Sequence, residues 1–311
     1  MTGREWWWLP ARAKLNLVLR VVGRRADGYH LLETLFHALE LHDDLALALA
    51  PKGIDLVVTA DEPALQLPPG TDNLVAKALR ALAAATGYGG GFVVRLHKRI
   101  PHGGGLGGGS SDAAAALRLA NERLGRPLAA PALAALAVRL GADVPFFLHG
   151  GSMWGRGIGD ELTEATVPSL AFVLVVPPYG CDTKAVYENH AALWRDRRPQ
   201  VSVRAHSVSA TRDTVRIDFG NELEPAAARV QPAMVGLRDR IVAAGYADVH
   251  MSGSGSTWFV PCVDAEASAR CLRDLEPLRA DGVRLVATRS AAANVDVPLA
   301  GLPEAAARAG G

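Results

Sequence analysis

Between Leu15 and Val22 apolar and polar residues alternate, with Leu15, Leu17, Leu19 and Val21 on one side of the chain and Lys14, Asn16 and Arg20 on the other. That two-residue period belongs to a strand. It returns at Phe92, Val94 and Leu96 against Arg95, His97 and Arg99, predicting a half-buried strand that Pro101 ends. Shorter apolar runs predict a strand pair at 45–49 and 54–58, a fully apolar strand at 171–176 running into Pro177-Pro178, and strands at 257–260 and 283–287. Helical patterning predicts a helix opened by Thr71-Asp72 and closed near Gly87, an alanine-rich helix reaching Leu124 with Gly125 as its C-cap, and a third from Pro131 to Leu140. Further on it predicts one long amphipathic helix over 224–244 and another over 265–275. The basic stretch 195–216 reads as an exposed loop and 303–311 as a frayed tail. Strands and helices in this order make an α/β (α+β) chain, and 311 residues are enough for two domains, 1–170 and 171–311.

One stretch breaks every pattern: Pro101-His102-Gly103-Gly104-Gly105-Leu106-Gly107-Gly108-Gly109-Ser110-Ser111, followed by Asp112. Glycine weakens both helices and strands, so this is a loop, set between a strand and the alanine-rich helix. Ser110 and Ser111 are suitable N-caps, and Asp112 is an acid suited to a first turn. A glycine loop feeding a helix N-terminus is an anion site, because backbone amides can approach phosphate oxygens where no Cβ stands in the way. A P-loop would need Lys then Ser or Thr after its last glycine, and Ser110-Ser111 does not supply it. Gly103-x-Gly105-x-x-Gly108 fits the dinucleotide fingerprint, but a second helix follows where that motif needs a strand ending in an acid.

Thirty-three basic and 32 acidic residues leave no bulk charge to attract nucleic acid or an anionic membrane, so any acidic ligand has to be held locally. Three cysteines, Cys181, Cys262 and Cys271, without metal-ligand spacing suit a reducing cytoplasm. Trp6-Trp7-Trp8-Leu9 is too short for an export signal and no stretch is apolar enough to span a membrane, giving an expected cytoplasmic enzyme without membrane or nucleic-acid partners, monomer or homodimer. Lys14 and Asn16, two apart beside the small Ala13, form a polar pair aimed into a cleft, although a lysine on a strand is ordinarily a solvated edge residue. Asp27-Gly28-Tyr29-His30 is a turn exposing an aromatic ring and an imidazole. Asp143, two residues before Pro145 and after the C-cap Gly141, can cap a short helix, and a carboxylate held there is also fixed for catalysis.

Ala13-Lys14-Leu15-Asn16-Leu17, the glycine-serine loop and Ser252-Gly253-Ser254-Gly255 resemble motifs one, two and three of the GHMP small-molecule kinases. Arg25-Ala26-Asp27-Gly28-Tyr29-His30 and Leu140-Gly141-Ala142-Asp143-Val144-Pro145 are similar to the branch acting on a cytidine diphosphate-linked alcohol. The resemblance implies a ribosomal-protein-S5-like N-terminal domain carrying the ATP loop and a ferredoxin-like C-terminal domain, with substrate between them. It implies Asp143 as general base, Lys14 as its cationic neighbour, 101–111 as the phosphate loop, and Asn16, Tyr29, His30 and Tyr187 as substrate-binding residues. ATP and Mg²⁺ are the implied cofactors, with the Ser110 and Ser111 hydroxyls as candidate metal ligands. One departure is visible: Asn221-Glu222-Leu223-Glu224 stands where these kinases often carry Asn-Asp-Leu-Glu.

Overall fold

The computed structural model describes residues 4–62, 73–196, 208–210, 215–292 and 297–307. Thr71-Asp72, most of 195–216 and the end of the predicted tail lie outside them. Strands β1 (Trp7–Arg24), β2 (His30–Ala50) and β3 (Ile54–Ala60) precede helix α1 (Leu74–Thr86), β4 (Gly91–Lys98), α2 (Gly108–Arg123), α3 (Ala130–Leu140) and α4 (Val144–His149). Then come β5 (Ser152–Arg156), β6 (Glu161–Glu164), β7 (Ala171–Val176), α5 (Thr183–Asp196), β8 (Val208–Ala210), β9 (Val215–Ile217) and β10 (Gly220–Asn221). The chain closes with α6 (Glu224–Val230), α7 (Ala233–Ala243), β11 (His250–Met251), β12 (Trp258–Cys262), α8 (Ala265–Leu275), β13 (Arg284–Arg289), β14 (Leu299–Ala300) and α9 (Glu304–Ala307). No described helix is long and apolar enough to cross a membrane.

Two large sheets organise these elements, and β8 and β9 pair with each other as a separate ribbon. The larger runs β10-β1-β2-β4-β3, with β14 also on β1, β5 on β2 and β6 on β5; the smaller runs β11-β12-β7-β13. Helices α1, α2 and α3 cover one face of the larger sheet, where Leu9, Ala11, Phe36, Leu45, Val94 and Leu96 meet Leu79, Leu117 and Leu136. Its other face packs on the smaller sheet, so Leu15, Leu17, Leu35 and Leu39 meet Phe172, Leu174 and Phe259. A strand buried on both faces loses the polar-out half of the alternation, which is why β1 reads as eighteen residues in the structure while its pattern marks only part of it.

The free edge of β1 is finished piecemeal. Trp7 and Trp8 pair with β14, the Lys14 amide donates to the Leu106 carbonyl, the Asn16 amide to Ser252 Oγ, Val18 and Leu19 pair with β10, and the Val21 amide donates to Glu222 Oε2. Glu222, the departure from the family pattern, therefore closes a strand edge.

Two predicted elements need correction. The strands at 45–49 and 54–58 are not partners: β4 lies between β2 and β3, antiparallel to the first and parallel to the second. The long helix over 224–244 is two, because Gln231 leaves helical geometry (φ −133, ψ 85) before Pro232, whose ring disfavours the α conformation in the residue ahead of it and which has no N–H to give.

Candidate active site

Lys14 and Asn16 reach the site through an irregularity in β1. Leu9 and Ala11 face the helices, whereas Ala13, Leu15 and Leu17 face the smaller sheet. The register shift between Arg12 and Lys14 exchanges the two faces and turns Lys14 and Asn16 toward the helix side, the use a β-bulge commonly serves beside an active site. Both are buried rather than on a solvated edge, at 2% and 3% exposure. Lys14 Nζ donates to Asn16 Oδ1 at 2.5 Å, and Asn16 Nδ2 donates to Thr34 Oγ1 at 2.7 Å, whose hydroxyl donates to the Val18 carbonyl. Burial holds the Lys14 ammonium below the ordinary lysine range, opposed by the nearby Asp143.

Asp143 stands at the N-cap position of α4, yet its carboxylate makes no capping hydrogen bond; it lies 3.5 Å from Lys14 Nζ with a third of its side chain exposed. Its oxygens are therefore available to a proton rather than engaged by helix amides. The Gly141-Ala142 turn before it faces the first turn of α2: a Cβ on Gly141 would come 4.0 Å from Ser110 Oγ.

The glycine loop enters α2 by way of Gly107, which caps the helix in the left-handed conformation (φ 72). This corrects the expected caps: Ser110 and Ser111 lie inside the first turn, and the Ser111 amide donates to the Gly107 carbonyl. Asp112 is also displaced from a first-turn role; it lies a turn into the helix and is 1% exposed. The loop's carbonyls are occupied, since Gly104 accepts from the Thr257 amide, Gly105 from the Ser252 hydroxyl and Leu106 from the Lys14 amide. Past the turn at His102-Gly103, no backbone amide from Gly105 to Gly107 donates to a backbone carbonyl among the described residues. Carbonyls turned inward and amides left over make an anion cradle.

The glycines serve two purposes. A Cβ on Gly105 would lie 2.2 Å from the Ser252 carbonyl, and one on Gly107 would lie 2.7 Å from the Phe147 ring and 3.1 Å from Lys14 Cγ, so these two let the loop pack on the protein. Beside Gly103 and Gly109 there is open space, which is where a phosphate can approach. The Ser252–Ser256 turn that backs the loop is pinned by Asn221 Nδ2, which donates to the Met251 and Gly253 carbonyls.

His30 stacks on Tyr187 of α5 at 5.0 Å between centroids and 27° between planes, and meets His190 edge-on at 6.4 Å. His30 Nε2 is buried without a hydrogen-bond partner, a vacancy that a polar edge of a ligand can fill. Burial, and then Arg24, press His30 down; burial and then His30 press His190 to about 4, so the cluster is neutral. Burial pushes the Tyr187 hydroxyl up, with Asp143 adding to it, which ties this aromatic group to the Lys14–Asp143 end of the site. Tyr29 differs: at 61% exposure it is held by its own turn, its amide donating to Asp27 Oδ1, and it joins no ring contact among the described residues. Pro101 is buried and His102 exposed at the loop's entry.

Behind the loop lies a group that no local pattern signals. Lys98, Asp43 and Asp112 form a buried ion cluster drawn from β4, β2 and α2. The described residues contain no group of three or more His, Cys, Asp or Glu able to hold a metal.

Residues 73–151 match the family model for the GHMP kinases N terminal domain. The 4-diphosphocytidyl-2-C-methyl-D-erythritol kinase of Pelotomaculum thermopropionicum is 40% identical over 262 residues, covering 83% of this chain and 90% of its own. That of Bordetella parapertussis is 41% identical over 256 residues, covering 81% and 80%. Among solved structures, a 4-(cytidine 5'-diphospho)-2C-methyl-D-erythritol kinase matches with a TM-score of 0.75 at 36% identity, over 92% of this chain and 100% of the other. The homoserine kinase from Cytophaga hutchinsonii shares the fold at a TM-score of 0.66 and 19% identity, over 96% of each chain.

Proposed function

The chain belongs to the 4-diphosphocytidyl-2-C-methyl-D-erythritol kinases of the GHMP family, and from that premise we propose how its own residues carry the reaction. The enzyme phosphorylates the 2-hydroxyl of its cytidyl substrate with ATP as donor, in the non-mevalonate route to isoprenoids. The observation that carries the residue assignment is the Lys14–Asp143 pair, 3.5 Å apart, with a carboxylate that caps nothing.

Phosphoryl transfer leaves little covalent work to the protein and depends on positioning and on charge placed where charge develops. Asp143 takes the proton from the attacking hydroxyl, and Lys14, 3.5 Å away, offsets the negative charge of the reacting oxygens. The free amides of the loop and the N-terminus of α2 hold the ATP phosphates, approached over Gly103 and Gly109. Asn16 orients the ammonium through their 2.5 Å hydrogen bond. Tyr187 offers cytosine a ring face, and His30 Nε2 offers its edge a partner. Tyr29 closes over the same end from its exposed turn. With the phosphate loop in 1–170 and Tyr187 in 171–311, we assign ATP binding to the first domain and closure over substrate to the second.

Mg²⁺ suits a hydroxyl oxygen, which Ser110 supplies in the first turn of α2, whereas Ser111, at 2% exposure, is enclosed. Ser110 would hold it, and when bound it would neutralise phosphate charge.

The test is steady-state ADP release with the cytidyl substrate, mevalonate and homoserine offered in parallel. Turnover confined to the cytidyl substrate is the expected result; preferred turnover of mevalonate or homoserine overturns the assignment.

A further inference from the structure

The phosphate loop is fastened at both ends by side chains that the transfer chemistry does not use. Lys98 closes β4 and Asp112 lies one turn into α2, so the loop runs between them, and Lys98 Nζ donates to Asp112 Oδ2 at 2.6 Å. The same ammonium donates to Asp43 Oδ2. Asp43 Oδ1 accepts the amides of Arg99 at 2.5 Å and Ile100 at 2.8 Å, the two residues that lead into Pro101. Side-chain exposures are 1% for Lys98, 0% for Asp43 and 2% for Asp112. The clasp sits directly under the helix start, since a Cβ on Gly108 would lie 3.4 Å from Lys98 Nζ.

We propose that Lys98, Asp43 and Asp112 are positioning residues for ATP, a buried clasp that fixes the loop and the N-terminus of α2 against the sheet. The inference rests on the reading of 101–111 as the phosphate cradle.

The geometry explains why all three are needed. Asp43 has three donors on its two oxygens, so it ties the Lys98 ammonium to the chain that enters the loop, and Asp112 Oδ2 ties the same ammonium to the helix that leaves it. A buried charge must be paired, and removing any one member leaves the others without the contact that joins the two ends of the loop.

Variants at the three clasp residues test this in the full-length enzyme. Lys98→Met and Asp43→Asn remove the ion pair and should raise KM for ATP, and Kd for a non-hydrolysable ATP analogue, by about tenfold or more while KM for the cytidyl substrate stays within about twofold. Asp112→Leu, which cuts the tie from Lys98 to α2, should separate the two constants in the same direction, and Asp112→Asn, which keeps an oxygen facing Lys98, should bring KM for ATP back to within about twofold of wild type. A role in folding alone would lower the melting temperature without separating the two KM values. Should Lys98→Met or Asp43→Asn not fold, the Asp112→Leu and Asp112→Asn pair decides by the same readout. A folded Lys98→Met or Asp112→Leu with unchanged KM for ATP, or an Asp112→Asn as damaged as Asp112→Leu, would overturn the proposal. Gly109→Val, which fills the open side of the loop, separates the two readings: if it leaves analogue binding intact, the cradle itself is wrong, whereas weak binding by Gly109→Val beside normal binding by Lys98→Met refutes only the clasp.

Discussion

Lys14 and Lys98 flank consecutive glycines of one loop, the first against Gly107 and the second against Gly108, and they are held in opposite ways. Lys98 has two carboxyl partners in contact, and these raise its proton affinity although burial works against it. Lys14 has a single carboxylate at 3.5 Å and an amide oxygen, and burial wins, lowering its proton affinity. A cation with satisfied partners stabilises the fold. One left short of partners costs stability and is ready for the negative charge that ATP brings.

Several variants bear on that contrast, and Asp143→Asn has the largest expected effect. Turnover should fall by about 10²- to 10⁴-fold with the substrate KM little changed. Because Asp143 caps no amide, the melting temperature should move hardly at all; a large drop in melting temperature with normal turnover would return Asp143 to a structural role. Next come the two lysines in urea unfolding. Lys98→Met should cost about 3–5 kcal/mol, because it leaves a buried carboxylate unpaired, whereas Lys14→Met should lie within about 1 kcal/mol of wild type. The pH dependence has matching signs. The stability that Lys98 supplies is present below the ordinary lysine pKa and is lost as pH rises through its raised value. The penalty at Lys14 is present at neutral pH and fades above its lowered value, so turnover that needs the ammonium should fail at a lower pH than an ordinary lysine would allow. Equal stabilities for the two methionine variants would erase the distinction. A smaller effect is expected at the aromatic end. His30→Ala should raise KM for the cytidyl substrate by about tenfold and spare that for ATP, and a shift in the ATP constant would break the division between the two ends.

What could be read from the sequence was local. The glycine loop, its strand and its helix appear in one continuous stretch, and Asp143 is marked by the Gly141 and Pro145 around it. Lys14 and Asn16 were legible as a pair, but the face they occupy depends on the register shift after Arg12, which has no local signature. The clasp escapes a linear reading altogether, since Asp43 is 55 residues from Lys98 and Asp112 another 14 beyond it. Asp112 looked like a first-turn acid because helix starts favour acids, and it is the tertiary partner Lys98 that gives it a different role. Pro232 breaks the helix expected over 224–244, because periodicity alone does not register the missing amide of a proline inside an apolar repeat.

The mosaic edge of β1 has a consequence for how the protein is made. Its hydrogen-bond donors are satisfied by Leu106, Glu222, Ser252, β10 and β14, segments spread over almost the whole chain. During synthesis β1 therefore waits long for its last neighbour, and until then it presents an apolar open edge of the kind that recruits other chains. A nascent chain stalled after residue 170 should bind a holdase chaperone and aggregate on release, whereas one that includes β10 and β14 should not. The terminal residues are then a timer on solubility, although they lie far along the chain from the loop where ATP is bound.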